Sequence, residues 1–240
     1  MPTYRQNDPG QSIVPAKPLK FGLPANQVGG AVARIPAGPL ELGFTLDTSS
    51  SMGHLLDAAA NGFNKFLEEQ CAAGPGYLSF NCFSSEVYPV CTGAELGTVE
   101  PVTRAFLAKR CGSTALLDGI GNVIKAVADR FDKLPNPRKG ALVAILTDGM
   151  ENCSKKFRHA EIFELIHYRR SVHQWEFLFL CASESAERYG LLLGIKKANI
   201  CRFDTSPEGI KLLLGRLSKA AGAFRLGNRN FAGYLTGRTV

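Results

Sequence analysis

The sequence predicts an α/β fold: a doubly wound, mostly parallel six-stranded sheet with helices on both faces and one antiparallel edge strand. From residue 39 onward, short apolar runs alternate with amphipathic segments of helical period, which is the pattern of strands joined by crossover helices. The runs within 141–147 and 176–181 are apolar at consecutive positions, as in strands buried on both faces of a parallel sheet. The runs 77–82 and 86–91 are separated by a short Ser-containing link, which predicts a hairpin and therefore the antiparallel strand.

The six predicted strands are short apolar runs bounded by polar or glycine-containing segments: 40–47, 77–82, 86–91, 141–147, 176–181 and 200–203. The predicted helices have apolar residues at spacings of three and four: 54–71, 102–109, 115–131, 157–171, 184–192 and 207–219. In the first helix these residues form one clear face, made of Leu55, Ala59, Phe63, Phe66 and Leu67.

Composition divides the chain into three parts. With 240 residues and 45% hydrophobic content, the sequence can bury one core of about 180 residues, which we place at 39–220. Residues 1–38 contain six prolines and no helical or strand period, which predicts an extended Pro/Gly-rich arm that contacts the body or a neighbouring subunit. Residues 221–240 contain three arginines and no acid, and we interpret them as a basic tail.

Charge and cysteine usage restrict the function classes. The first 40 residues and the last 20 together supply six of the formal charges in the net +7, so the globular part is nearly neutral. The tails could bind nucleic acid, but solvated tails explain the same charge and are preferred.

Seven cysteines without a CxxC pair argue against structural zinc or a disulfide framework. No apolar run of membrane length is present, so we expect no membrane partner and a cytoplasmic location, or one inside a phage or other multi-subunit particle.

Hard oxygen ligands occur where two of the strands end. Asp47 closes the first strand, and Ser49 and Ser51 follow at alternate positions, so that one loop can present three oxygens to a divalent cation. Asp148 closes the strand 141–147 about a hundred residues later. Between them, Thr114 presents a hydroxyl just before the helix 115–131.

These oxygens are expected to meet. In an open α/β sheet, ligands lie beyond the carboxyl ends of the strands, where the strand order reverses. If the strands ending at Asp47 and Asp148 are neighbours at that point, the two carboxylates converge. Taken singly, each could be a helix cap or a turn residue, but three such elements in this order predict one metal site.

The order DxSxS, GST and TDG resembles the metal-ion-dependent adhesion site (MIDAS) of von Willebrand factor A (vWA) domains. The resemblance spans roughly 40–219, and the segments 112–121, 147–154 and 175–180 resemble an intracellular bacterial and phage branch of that family. It implies a Rossmann-like fold in which Ser49, Ser51 and Thr114 coordinate Mg²⁺ (or Mn²⁺ or Ca²⁺), with Asp47 and Asp148 bound directly or through water. Ser50 departs from the family, where glycine is common, without removing a ligand.

The resemblance also implies a function. One coordination position is typically left to a carboxylate of the partner, so we expect a non-enzymatic module that binds an Asp or Glu side chain of a protein through the cation. An enzyme is disfavoured because the sequence has no GxGxxG after a strand and no GxxxxGK[ST], and His54 is the only histidine near the site in sequence. The alternative is a structural or assembly protein that makes its contacts, including self-assembly, through residues 1–38 and the tail.

Overall fold

The computed structural model describes residues 39–109, 112–134 and 140–237. Its six-stranded sheet has the order β3-β2-β1-β4-β5-β6, and all neighbours are parallel except the β2–β3 pair. The strands are β1 Leu40–Asp47, β2 Gly76–Phe83, β3 Val87–Glu95, β4 Leu142–Thr147, β5 Glu176–Cys181 and β6 Ile200–Arg202. The predicted doubly wound sheet with one antiparallel edge strand is confirmed.

Helices cover both faces of this sheet. They are α1 Leu56–Ala73, α2 Arg104–Ala108, α3 Leu116–Phe131, α4 His159–His173, α5 Glu184–Leu192, α6 Pro207–Arg225 and α7 Ala232–Thr236. On one face, residues of α1, α2, α6 and α7 pack with Phe44 and Leu46 of β1 into one buried cluster. On the other face, residues of α3, α4 and α5 pack with Val143 and Ile145 of β4 into a second.

The largest differences from the sequence-based elements are at β3 and at the C-terminal end. β3 runs to Glu95, not 91, because it continues past Gly93, whose φ of 58° accompanies an irregular register with β2. α6 runs to Arg225, not 219, because its apolar stripe continues through Ala220, Ala221 and Phe224. Gly227, two residues after the last residue of α6, has a φ of 82°, which is typical of a residue that terminates a helix.

Segments outside the described residues keep the status of predictions. The proposed arm, 1–38, lies there entirely, as do the last three residues of the proposed tail. The described part of 221–240 is packed on the body: Phe224, Phe231 and Leu235 are buried. Within the described ranges, no helix combines the length and apolarity needed to cross a membrane.

The strand order indicates a ligand position at the carboxyl end of the central strands. β1 is the strand from which the order departs in both directions, with β2 on one side and β4 on the other. Leu46 pairs with Leu146, so the next residues, Asp47 and Thr147, end their strands side by side. This is the strand-order reversal at which α/β proteins place their ligands.

Candidate metal centre

Asp47 is held rigidly at the carboxyl end of β1. It is fully buried, its Oδ1 accepts a hydrogen bond from the Ser49 N–H at 2.8 Å, and its Oδ2 accepts one from the Thr147 hydroxyl at 2.6 Å. Because β1 and β4 are neighbours, the second contact spans 100 residues of sequence. The carboxylate therefore has one fixed position at the switch point.

Two serine hydroxyls lie next to it. Ser49 Oγ and Ser51 Oγ are 3.2 Å apart, and Ser51 Oγ donates to Asp148 Oδ1 at 2.8 Å. A short 3₁₀ helix, Ser50–His54, turns the chain so that alternate hydroxyls face the same space. The loop is fastened by the Ser50 N–H, which donates to the Gly112 carbonyl at 3.0 Å. The loops after β1 and β4 thus share one polar cluster.

Thr114 completes the cluster from a third loop. Its side chain is buried, and the following residue, Ala115, donates its N–H to the Ser84 carbonyl at 2.7 Å, which anchors the loop to the end of β2. A Cβ built on Gly149 would lie 3.4 Å from Thr114 Oγ1 and 3.9 Å from Asp47 Oδ2. The absence of a side chain at Gly149 therefore leaves open the space between the threonine hydroxyl and the carboxylate.

Burial disfavours the charged form of both carboxylates. Burial raises the pKa of Asp47 to about 6, with a smaller contribution from Asp148, although hydrogen bonds from Thr147 and Ser49 oppose the shift. Burial also raises the pKa of Asp148, against the lowering effects of the Ser51 hydroxyl and nearby His54. A bound cation would relieve both shifts.

The donor set fits a hard divalent cation. Two carboxylates and three hydroxyls are oxygen ligands, which Mg²⁺, Mn²⁺ and Ca²⁺ prefer, whereas thiolate and imidazole sets select softer metals. Within the described residues no group of three or more His, Cys, Asp or Glu side chains is placed to hold a metal. The residues gathered at this edge are Asp47, Ser49, Ser51, Thr114 and Asp148.

Comparison of the whole fold with solved structures gives matches of low sequence identity. A structure of proximal thread matrix protein 1 from the mussel byssus, with a zinc-occupied MIDAS motif, is 15% identical at a TM-score of 0.54, over 73% of this chain and 46% of that chain. The chain has a vWA-type α/β fold. The PilB minor pilin from Streptococcus sanguinis matches at 11% identity and a TM-score of 0.57, over 83% and 63% of the two chains.

The pilus adhesin SpaC from Lactobacillus rhamnosus GG matches at 14% identity and a TM-score of 0.61, over 78% of this chain and 30% of that one. The chain thus spans between about a third and two thirds of the length of these three proteins. No protein-family model matches the sequence, and no curated protein matches it either. At these identities the comparisons establish the fold.

Sequence reasoning missed Thr147 and Asn152, which position the site. Thr147 donates to Asp47, and Asn152 Oδ1 accepts the Thr114 N–H at 2.8 Å while its own N–H donates to the Thr114 carbonyl at 3.1 Å. This two-point contact fixes the loop that carries the Thr114 hydroxyl. The sequence signal for both residues is the polar run 147–154, which also carries part of the resemblance to vWA domains.

Two further carboxylates fasten that polar run to the start of α3. Glu151 accepts hydrogen bonds from the N–H groups of Leu117, Cys153 and Ser154. Asp118 is buried and accepts three backbone N–H groups from the segment 155–157. Both carboxylates thus stabilise the loop by accepting hydrogen bonds from backbone N–H groups. In the described part of the chain they form no hydrogen bond with the five candidate metal ligands.

His54 lies between two backbone carbonyl oxygens beside the site. Its Nδ1 lies 3.0 Å from the Ser51 carbonyl oxygen, and its Nε2 lies 3.3 Å from the Thr205 carbonyl oxygen. Thr205 is in the loop between β6 and α6. Both ring nitrogens therefore face backbone oxygens, which is the arrangement of a positioning residue.

Proposed function

We propose that this domain binds Mg²⁺ (or Mn²⁺ or Ca²⁺) and uses the cation to capture an Asp or Glu side chain of a protein partner. The ligands are Asp47, Ser49, Ser51, Thr114 and Asp148. The observation that carries the proposal is the convergence of these side chains from three separate loops at the strand-order reversal of the sheet. The mussel protein, which has a similar fold and holds zinc in its MIDAS motif, supports a divalent cation in such a domain.

Charge balance explains why such a site would bind an acid. Two carboxylates offset the charge of one divalent cation, and the three hydroxyls are neutral, so the cation supplies an electrophilic position for one more oxygen anion. The protein's own residues hold this position open. Gly149 leaves space beside Thr114, and Ser51 lies on the exposed side of the cluster.

The surroundings support binding over catalysis. A metal-dependent hydrolase needs a general base within reach of the attacking water. His54 faces two backbone carbonyl oxygens, and Glu151 and Asn152 are occupied by backbone N–H groups. We therefore propose a non-enzymatic interaction module.

A reducing location is part of this proposal. The six cysteines of the described residues are free thiols, three of them buried in the body. This supports the cytoplasm, or the interior of a phage or other multi-subunit particle, as the place where the domain works. Expression of the protein in reducing and oxidising compartments, followed by thiol counting, tests this point.

The test of the cation site is calorimetric titration of the protein with MgCl₂. We expect saturable binding that is lost in Asp148→Asn and retained in Asp57→Asn, which changes an exposed carboxylate of α1. A pull-down with the wild-type protein should then recover a partner in Mg²⁺ but not in EDTA, and Asp148→Asn should fail to recover it. Equal Mg²⁺ affinity in the two variants would disprove the assignment of the site.

A further inference from the structure

An open depression lies beside the candidate metal centre, at the same edge of the sheet. It has a volume of about 430 Å³ and is lined by Met150, Glu184, Ser185, Arg188, Tyr189 and Leu192. We call it the Met150 depression. Met150 belongs to the loop after β4, and the other five residues belong to α5, which follows β5. Because Thr147 and Cys181 pair at the ends of these parallel strands, both walls leave the sheet at the edge where Asp148 lies.

The lining exposes apolar surface to solvent. Met150 is 39% exposed and Leu192 is 62% exposed, and both are among the few large apolar side chains that are exposed in the described residues. The charged groups on the rim neutralise each other, since Glu184 and Arg188 form an ion pair one helical turn apart. The depression therefore offers apolar contact with a balanced rim, which favours an uncharged apolar group over a second acid.

One wall of the depression is fixed in place. Tyr189 is partly buried against the core of its face, and its ring meets the His159 ring edge-on with centroids 5.7 Å apart. Burial raises the pKa of Tyr189 to about 12, so its phenol is neutral at physiological pH. An apolar group binds more tightly against a rigid aromatic side chain than against a mobile one, because less side-chain entropy is lost on binding.

Spacing connects the depression to the metal site. Asp148 and Met150 are two residues apart, so their Cα atoms lie within about 7 Å of each other, the distance that two residues of an extended chain span. A peptide whose acid reaches the cluster at Asp148 therefore brings a neighbouring side chain to Met150. Burying an apolar side chain there adds affinity in proportion to the area removed from water.

We propose that the Met150 depression receives a large apolar side chain adjacent to the partner's acid, so that the recognised motif is an acid flanked by an aromatic or aliphatic residue. The inference rests on the proposed function, because the acid is what brings the peptide to this edge. The Met150 depression would add specificity, because the cation alone would bind all acidic segments with similar affinity.

The test uses three acetylated and amidated tripeptides, Gly-Asp-Phe, Phe-Asp-Gly and Gly-Asp-Gly, titrated into the full chain and followed by NMR in Mg²⁺ and in EDTA. We expect at least one Phe-containing peptide to bind with a Kd at least fivefold lower than that of Gly-Asp-Gly. Leu192→Glu and Met150→Ala should each abolish this preference, and Met150→Ala should leave the affinity for Gly-Asp-Gly unchanged. Leu212→Glu is the matched control, because Leu212 is also an exposed helical leucine but lies on α6.

The outcomes separate the two proposals. If all three peptides bind alike and only in Mg²⁺, or if Leu192→Glu and Met150→Ala both keep the preference for Phe, the Met150 depression is not a recognition site and the metal-dependent function stands. If no peptide shows binding that requires Mg²⁺, the proposed function fails and this inference fails with it. A preference for Phe that is lost equally in Leu212→Glu would also overturn the inference, because the effect would then be unspecific.

Discussion

The Ser51 hydroxyl donates a hydrogen bond of 2.8 Å to Asp148 and so joins two loops that lie 97 residues apart in the sequence. One loop follows β1 and the other follows β4, the strands that meet where the strand order reverses. Ser51 also lies within hydrogen-bond distance of Ser49, which is adjacent to Asp47. One exposed hydroxyl thus connects both carboxylates of the cluster.

The first prediction concerns this hydroxyl. Ser51→Ala should lower the affinity for Mg²⁺ at least tenfold, because it removes a proposed ligand and the hydrogen bond that orients Asp148. Calorimetric titration measures the change. Ser50→Ala is the matched control, since the Ser50 hydroxyl contacts the Gly112 carbonyl instead, and it should keep wild-type affinity. An equal loss in both variants would mean that the loop, not the Ser51 oxygen, is responsible.

The second prediction concerns the space beside Thr114. Gly149→Ala should fold normally, because the added Cβ would make ordinary contacts of 3.4 Å or more, but it should weaken Mg²⁺ binding at least tenfold by occupying that space. Gly53→Ala controls for the substitution itself, because a Cβ there meets no atom within 4 Å. Thermal unfolding should be similar for both variants while their titrations differ. Unchanged Mg²⁺ affinity in Gly149→Ala would contradict the prediction.

The third prediction concerns stability without metal. Because burial raises the pKa of Asp47 to about 6, the native state favours the protonated form. Its contribution to stability is complete below the unfolded pKa of about 4 and is lost as the pH rises through about 6. At pH 7.5 in EDTA, Asp47→Asn should therefore be more stable than wild type by about 2 kcal/mol, allowing about 1 kcal/mol for a weakened hydrogen bond.

Urea unfolding in EDTA at pH 7.5 and pH 4 measures this difference. The advantage of Asp47→Asn should disappear at pH 4, where wild-type Asp47 is largely protonated. Added Mg²⁺ should stabilise the wild type and leave Asp47→Asn unaffected. Asp57→Asn, at an exposed carboxylate, should show no such pH-dependent difference. If Asp47→Asn is less stable than wild type at pH 7.5, the carboxylate serves the fold.

The sheet could be predicted from the sequence because its strands are unusually clear. β1, β5 and α5 have the bounds that apolar runs and helical spacing predicted. A run of apolar residues between polar segments marks clearly where a buried strand begins and ends. The end of α6 was missed because residues from 221 onward were interpreted as a basic tail, whereas Ala221 and Phe224 are buried and continue the apolar stripe of the helix.

The candidate site was predictable only in part. The approach of Asp47 and Asp148 follows from strand order alone, and the structure brings the five side chains to one edge; their role as metal ligands stays a prediction. The polar run 147–154 marks the segment that contains Thr147 and Asn152, but their individual roles were not predictable, because they depend on contacts with residues far away in the sequence. A hydrogen bond between residues that lie far apart in the sequence leaves no periodic trace in it.

The fourth prediction concerns Asn152. Asn152→Ala should lower the free energy of unfolding by about 1 kcal/mol, because the Thr114 N–H loses its acceptor. It should also weaken Mg²⁺ binding, since the loop carrying the Thr114 hydroxyl is less well fixed. Asn152→Asp should restore much of both properties, because a carboxylate oxygen can accept the same N–H. Failure of this rescue, with stability recovered but Mg²⁺ affinity still lost, would argue against a positioning role.

The last prediction separates the metal site from the arm. A chain that begins at Pro39, and so lacks the arm but keeps all five site residues, should retain wild-type Mg²⁺ affinity and partner binding. That binding should change little between 50 and 300 mM salt, because a carboxylate bound to a cation at short range is poorly screened. Contacts made by basic tails should behave oppositely, surviving EDTA and weakening steeply with ionic strength. If the shortened chain binds Mg²⁺ normally but loses the partner, residues 1–38 carry the recognition, and the assembly alternative becomes the better account of the protein.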